Sequence, residues 1–282
     1  MASRQQLDIR RSGNIFDLDK AYLLTLGAED FARAVLIQDG IDSEIEKLSE
    51  PWAQETPPFP VGDGVLVGRL EDMQGRFNVN NLIGANGEVD QIALKRFERL
   101  LALVGLERTL AQAVLDWIDG DSEARFPDGA EDDYYMQQTP GYSAANRPLV
   151  SPSELVLVKG IGYKGYQALA PYVAALPQGV GIDVNTAPAL VIAALVEGFS
   201  EEDAKMVVEE RGEEGVDGVE DFLALSSLAG ATIDEAGLTV ASSYFLLSAS
   251  ADWGRGRARL FSLLWRDSNN KVITMMRGQG AY

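Results

Sequence analysis

TVASSYFLLSASA at residues 239–251, RARLFSLLW at residues 257–265 and KVITMM at residues 271–276 give the end of the chain three runs of period two. Apolar and polar positions alternate in them, the pattern of half-buried strands. Gly254 and Gly256 in the first connection, and Asn270 in the second, supply the conformations that tight turns need. The three runs predict an antiparallel meander. A sheet of that size needs a helix or further strands to cover a face. Both are available at the other end of the chain. Residues 65–72 read as a strand, 73–75 as a turn and 76–80 as a second strand, together a hairpin. From Gln6 to about Leu48 an apolar stripe through Phe16, Tyr22, Leu23, Leu26, Phe31, Ala34, Val35 and Ile37 predicts a long helix, weakened or ended locally by Gly27 and Gly40. The proline-rich residues 50–60 predict a surface loop anchored by Trp52 and Phe59.

Between these ends the period changes. Ile92, Leu94, Phe97, Leu100, Leu101, Leu103 and Val104 recur at helical spacing, a second helix is expected over 110–118, and only helices and turns follow to about Leu238. The fold class expected is α+β. A discontinuous α/β domain is built from residues 1–82 and 239–282, with a long N-terminal helix on an antiparallel sheet, and an all-α domain over 83–238 is inserted between strands.

Composition narrows the function classes. With 282 residues, 46% hydrophobic and 24% charged, the chain is long enough for one large or two ordinary globular domains. Its net charge of -19 argues against nucleic acid or an anionic membrane surface as partner, and not against cations. Cysteine and histidine are both absent. Thiol nucleophiles, cysteine zinc sites, imidazole bases and histidine-ligated metals are thereby excluded. No run of about 18 apolar residues occurs, and the start lacks the charged-then-apolar order of a signal sequence.

The densest chemistry is DWIDGDSEARFPDGAEDDYY at residues 116–135, where eight carboxylates meet one arginine, Arg125. The Pro127-Asp128-Gly129 turn lets two acidic clusters fold toward one point. Trp117, Ile118, Tyr134 and Tyr135 among them imply partial burial, and buried carboxylates need a partner. A hard cation fits. Calcium accepts six to eight oxygens and tolerates irregular loops, although the spacing is not that of an EF-hand. The expected ligands are Asp119 and Asp121 from the first cluster and Glu131 and Asp132 from the second, with Asp116, Asp128 and Asp133 in reserve, for one or two ions. An acid pair such as Asp119 and Glu131, with Trp117, Tyr134, Tyr135 and Tyr142 as walls, is the alternative reading, a carboxylate hydrolase with groups about 5 to 9.5 Å apart.

Residues 154–165 resemble a helix-hairpin-helix with a Gly-Ile-Gly turn, and a looser copy runs over 183–210. DNA-binding versions hold phosphate at that turn, and Lys159 and Lys164 would suit it. Yet residues 201–221 carry ten acids against Lys205 and Arg211, which repels a duplex. Packing is the expected role.

FNVNNL (77–82), DWIDGD (116–121), GAEDDYY (129–135), ANRPLVSPSEL (145–155) and DVNTAP (183–188), following a long helix and a hairpin, resemble the K-type minor pseudopilins of the type II secretion system. The resemblance implies a pilin-like domain with a large helical insertion, bound calcium in the helical part, and a non-enzymatic place at the tip of the periplasmic pseudopilus. There the I- and J-type minor pseudopilins are the implied partners, and the helical part would meet secreted cargo or the outer-membrane secretin. It also implies a leader and an apolar helix in the inner membrane. Both are expected upstream of Gln6, with Met1-Ala2-Ser3 as an added start and the present residues periplasmic.

Overall fold

The computed structural model describes residues 2–279, and their side chains apart from those of 2–7 and 9. By its contacts the chain divides into two compact units: residues up to Met73 with those from Ser243 onward, and residues 74–242. The first unit begins with helix α1 (Ala2–Asp42) and strands β1 (Phe59–Val61) and β2 (Gly64–Asp72). The second unit contains β3 (Phe77–Asn78), α2 (Gln91–Leu103), α3 (Leu110–Ile118), α4 (Asp132–Tyr135), α5 (Gly162–Leu169), β4 (Val173–Ala174) and β5 (Ile182–Asp183). It ends with α6 (Ala189–Leu195), α7 (Glu201–Arg211), α8 (Val219–Leu223) and β6 (Leu238–Thr239). The chain then returns to the first unit with β7 (Tyr244–Trp253), β8 (Gly256–Arg266) and β9 (Val272–Gly278).

The meander forms as the pattern requires, inside a sheet of order β1-β2-β7-β8-β9 that is antiparallel throughout. One face is covered by α1. Ala21, Thr25, Ala28, Glu29, Ala32 and Leu36 recur on one side of that helix and are buried, and the small residues allow close approach to the strands. Leu36, Phe245, Leu247, Leu260 and Leu264 fill the layer between. The helix runs unbroken through Gly27 and Gly40, contrary to the expectation of an interruption there. Gly40 is a contact point: a Cβ would come 2.5 Å from the Asn270 side chain, whose Nδ2 donates to the Gly40 carbonyl at 2.6 Å.

A buried carboxylate crosslinks helix and sheet. Glu29 accepts hydrogen bonds from Ser262 Oγ (2.6 Å), Thr274 Oγ1 (2.8 Å) and Arg277 Nε and Nη2 (2.7 and 2.8 Å). The Arg277 guanidinium is the main reason its carboxyl is held down to about 2, against the opposing pull of burial. A second group, Asp39, Glu46 and the half-buried Glu50, has carboxylates close enough to share a cation. Arg266 already sits among them, paired with Asp39 and Glu46.

Three expectations are corrected. Residues 76–80 are not the second strand of a hairpin: β3 pairs in parallel with β4 inside the second unit, and β2 pairs with β1 and β7. Phe77, Asn78, Val79 and Asn80 are all buried, so the alternation of residue types there reflects no solvent-facing side. Thr239 does not open β7, because Leu238–Thr239 is spent pairing with Ile182–Asp183, and these two parallel ribbons add strands where only helices and turns were expected. Trp52 anchors its loop, edge-on to Phe245 at 5.3 Å between ring centroids, whereas Phe59 lies 65% exposed in edge strand β1.

In the second unit the asparagines of FNVNNL hold backbone rather than ligand. Asn80 donates to the Leu149 and Leu176 carbonyls and accepts from Leu149 N. Asn78 accepts from Leu176 N and donates to Pro177 O, and Asn81 donates to Val180 O. Buried amides of this kind satisfy loop backbone that no ladder serves. Asn185 of DVNTAP does the same for Val216, at both its N–H and its carbonyl.

The two helix-hairpin-helix copies share a turn glycine with positive φ, 79° at Gly160 and 80° at Gly198. Their first arms differ. The first copy opens with a 3-10 helix, Pro152–Leu157, started by a capping box between Ser151 and Glu154, while the second pairs α6 with α7.

Candidate metal centre

The acidic loop is suspended between two helix ends. Asp119 is the C-cap of α3, where its N–H bonds to the Leu115 carbonyl, and Glu131 is the N-cap residue of α4. Asp116, fully buried, pins the loop: its carboxylate accepts from Arg125 Nη1 (2.7 Å), Arg125 N (3.0 Å) and Ala130 N (2.8 Å). Gly129 permits that fold, since a Cβ there would come 2.2 Å from Asp116 Oδ2.

Of the predicted ligands, Asp119, Asp121 and Glu131 converge, with one carboxylate oxygen from each lying within 4.8 Å of the others. Glu131 and Asp119 are both 5% exposed, too buried for water to compensate them. Among the described residues, both oxygens of Glu131 and Oδ1 of Asp119 have no hydrogen-bond donor. Burial, then the charges of Asp116, Asp119, Asp121 and Asp132, push the Glu131 carboxyl up to about 7. Burial likewise raises Asp119, despite its ion pair with Arg125. Arg125 is thus shared by Asp116 and Asp119, and the negative charge gathered here is only partly balanced. The donor set is all oxygen, which suits a hard cation such as calcium.

The other four predicted ligands stand apart from that cluster. Asp116 is spent on Arg125 and backbone amides. Asp132 is exposed and accepts from Ala144 N at 2.8 Å. Asp133 is exposed, and Asp128 is half-buried with its N–H on Gln112 Oε1.

Several supporting residues escaped the sequence reading. Lys159, which the helix-hairpin-helix pattern offered as a phosphate ligand, donates Nζ to the Asp128 and Gly129 carbonyls (3.3 and 3.1 Å) and lies over the Tyr134 ring. It ties the hairpin turn to the acidic loop. Asn146 adopts positive φ (46°) and bonds Trp117 O through its N–H and Asp121 O through Nδ2. Beneath the loop, Trp117, Tyr135 and Tyr142 pack ring on ring, with centroids 5.0 to 6.2 Å apart.

Family models described as type II secretion system, protein K match residues 75–178 and 182–241, the stretches that carry the acidic loop and both hairpins. The chain is 35% identical to type II secretion system protein K of Pseudomonas aeruginosa, over 98% of this chain and 86% of that protein. It is also 35% identical to the protein K of Aeromonas hydrophila, over 99% and 91%. The chain belongs to the type II secretion system protein K family. A chain in the crystal structure of the GspK-GspI-GspJ complex from enterotoxigenic Escherichia coli superimposes on this protein K chain with a TM-score of 0.82, at 25% identity and full coverage of both. The pilin-like α+β architecture of this K-type pseudopilin is thus matched over its whole length. Among its described residues, no helix is long and apolar enough to cross a membrane.

Proposed function

We propose that this chain is a structural minor pseudopilin at the tip of the type II secretion pseudopilus, joined to I- and J-type minor pseudopilins, where it supports export of folded proteins across the outer membrane. The observation that carries the reading is the full-length match to a chain from a K-I-J complex. A feature of α1 supports it. Opposite its sheet-facing side, Phe16, Leu23, Phe31 and Ile41 are each 63 to 66% exposed on the outward face of the helix. At 1.5 Å per residue that apolar stripe is about 37 Å long, a surface suited to packing other long helices. In this reading the chain works in the periplasm, and an apolar helix in the inner membrane is its anchor.

In the same reading Asp119, Asp121 and Glu131 hold calcium. The ion would supply the positive charge that the buried oxygens lack and join the ends of α3 and α4, with no catalytic part.

The double variant Phe16→Glu/Phe31→Glu tests the interface. Both side chains are solvent-exposed, so the melting temperature should stay that of the wild type. Association with the I- and J-type partners, followed by sedimentation, should weaken by about thirtyfold or more, the effect of losing central apolar anchors. Unchanged association would place the contact elsewhere.

A further inference from the structure

The first unit has an acidic cluster of its own, where α1 ends and the chain turns into the loop at 43–58. Asp39 stands in the last turn of the helix, and Glu46 and Glu50 lie in the loop. One carboxylate oxygen from each lies within 4.8 Å of the others. The Glu46 and Asp39 side chains are 1% and 7% exposed, while Glu50 is half-buried and leaves an entry from solvent.

Each carboxylate has one oxygen engaged. Asp39 Oδ2 accepts from Arg266 Nη1 at 2.8 Å, and Glu46 Oε1 pairs with Arg266 Nη2. Glu50 Oε2 accepts from Lys47 N and Trp52 Nε1, both at 2.9 Å. The other oxygen of Glu46, Oε2, is buried and has no hydrogen-bond partner among the described residues. A carboxylate oxygen in that state is costly unless a proton or an ion meets it. Arg266 does not complete the balance. It brings one positive charge, divided between Asp39 and Glu46, and is held on their side by the Leu36 carbonyl (3.2 Å) and the Phe245 ring, 5.2 Å from its guanidinium. Burial, then the charges of Asp39, Asp72 and Glu50, push the Glu46 carboxyl up to about 8, although Arg266 opposes them. The last turn of α1 has no basic residue to offset the negative end of its dipole. Three carboxylates against one guanidinium leave the deficit that a divalent cation fills.

We propose that Asp39, Glu46 and Glu50 hold a divalent hard cation of the calcium type, which ties the end of α1 to the loop at 43–58. The donors are all oxygen and come from a helix and a loop, an irregular set that calcium tolerates with water completing its shell. The site is independent of the filament reading and of the acidic loop at 116–135.

NMR spectra of the whole isotope-labelled chain, titrated with manganese(II) as a paramagnetic oxygen-seeking probe, test it. The Trp52 indole N–H donates to Glu50, so a bound ion should broaden its resonance and excess calcium should restore it. Trp117, two residues before Asp119, reports the other acidic loop, so each site succeeds or fails on its own resonance. In Glu50→Gln the amide oxygen can still accept from Lys47 N and Trp52 Nε1, which keeps the loop while a ligand charge is lost. The manganese concentration needed to broaden Trp52 should then rise about tenfold or more. A Trp52 resonance unchanged at millimolar manganese, or broadened equally in Glu50→Gln, would overturn the proposal and leave a proton as the occupant of Glu46 Oε2. Broadening that excess calcium fails to reverse would overturn it as well.

Discussion

Removing calcium from the loaded protein is expected to lower the melting temperature of the second unit by about 5–10 °C. A ligand present at about a hundred times its dissociation constant contributes about 2.7 kcal/mol to the state that binds it, and a domain of this size shifts by about 2–4 °C per kcal/mol. The substitution Glu131→Gln separates this explanation from general salt effects, because it acts with opposite signs in the two states. Without metal it removes a buried, unbalanced charge, so the variant should melt above the metal-free wild type. With calcium it removes a ligand, so most of the metal-dependent gain should vanish. A wild type indifferent to saturating calcium, or a variant with the full calcium shift, would remove the ion from the site. Differential scanning calorimetry with calcium and with chelator reads all four values.

Glu29→Ala is expected to destabilise the first unit by about 1–3 kcal/mol, the cost of stranding buried donors of a charged acceptor, and no more, because the Arg277 side chain left behind is 48% exposed and regains water. The substitution strands Ser262, which is fully buried, and leaves Thr274 and Arg277 without their shared acceptor. Its pH signature is specific. The folded carboxyl is held down to about 2, below its ordinary value of 4.5. The stability it contributes is therefore present above about pH 4.5 and is lost as pH falls toward about 2. The variant should unfold at a lower urea midpoint at neutral pH, and the gap should close in acid. A gap that stays constant through that range would mean that the carboxylate is a packing element and not a charged crosslink.

Much of the first unit is legible because its strands are half-buried. In β8 buried and exposed positions alternate along Arg257, Ala258, Arg259 and Leu260, so the sequence period mirrors the environment, and Gly254 and Asn270 take the positive φ their turns demand. The misreading of residues 76–80 has the converse cause. Asn78 and Asn80 are buried to serve carbonyls about 70 to 100 residues away, and a polar residue in that role looks identical in sequence to one facing water. Gly40 reads as a helix breaker by propensity, but its conformation is helical and its value lies in what it lets Asn270 approach.

The candidate site is legible to the same depth. Density of charge and interleaved aromatics single out residues 116–135, and three of the preferred acids converge. Which oxygens converge depends on backbone direction: Glu131 at the N-cap of α4 turns inward, while Asp132, one residue on, turns to Ala144 N. Lys159 is invisible to local reading because its targets, the carbonyls of Asp128 and Gly129, carry no sequence signal.

Light scattering on a size-exclusion column, with this chain mixed in calcium with its I- and J-type minor pseudopilin partners, addresses the assembly role most directly. A single peak with the mass of a 1:1:1 complex is the expected result. Three separate peaks at tens of micromolar would contradict a tip complex held together by these residues.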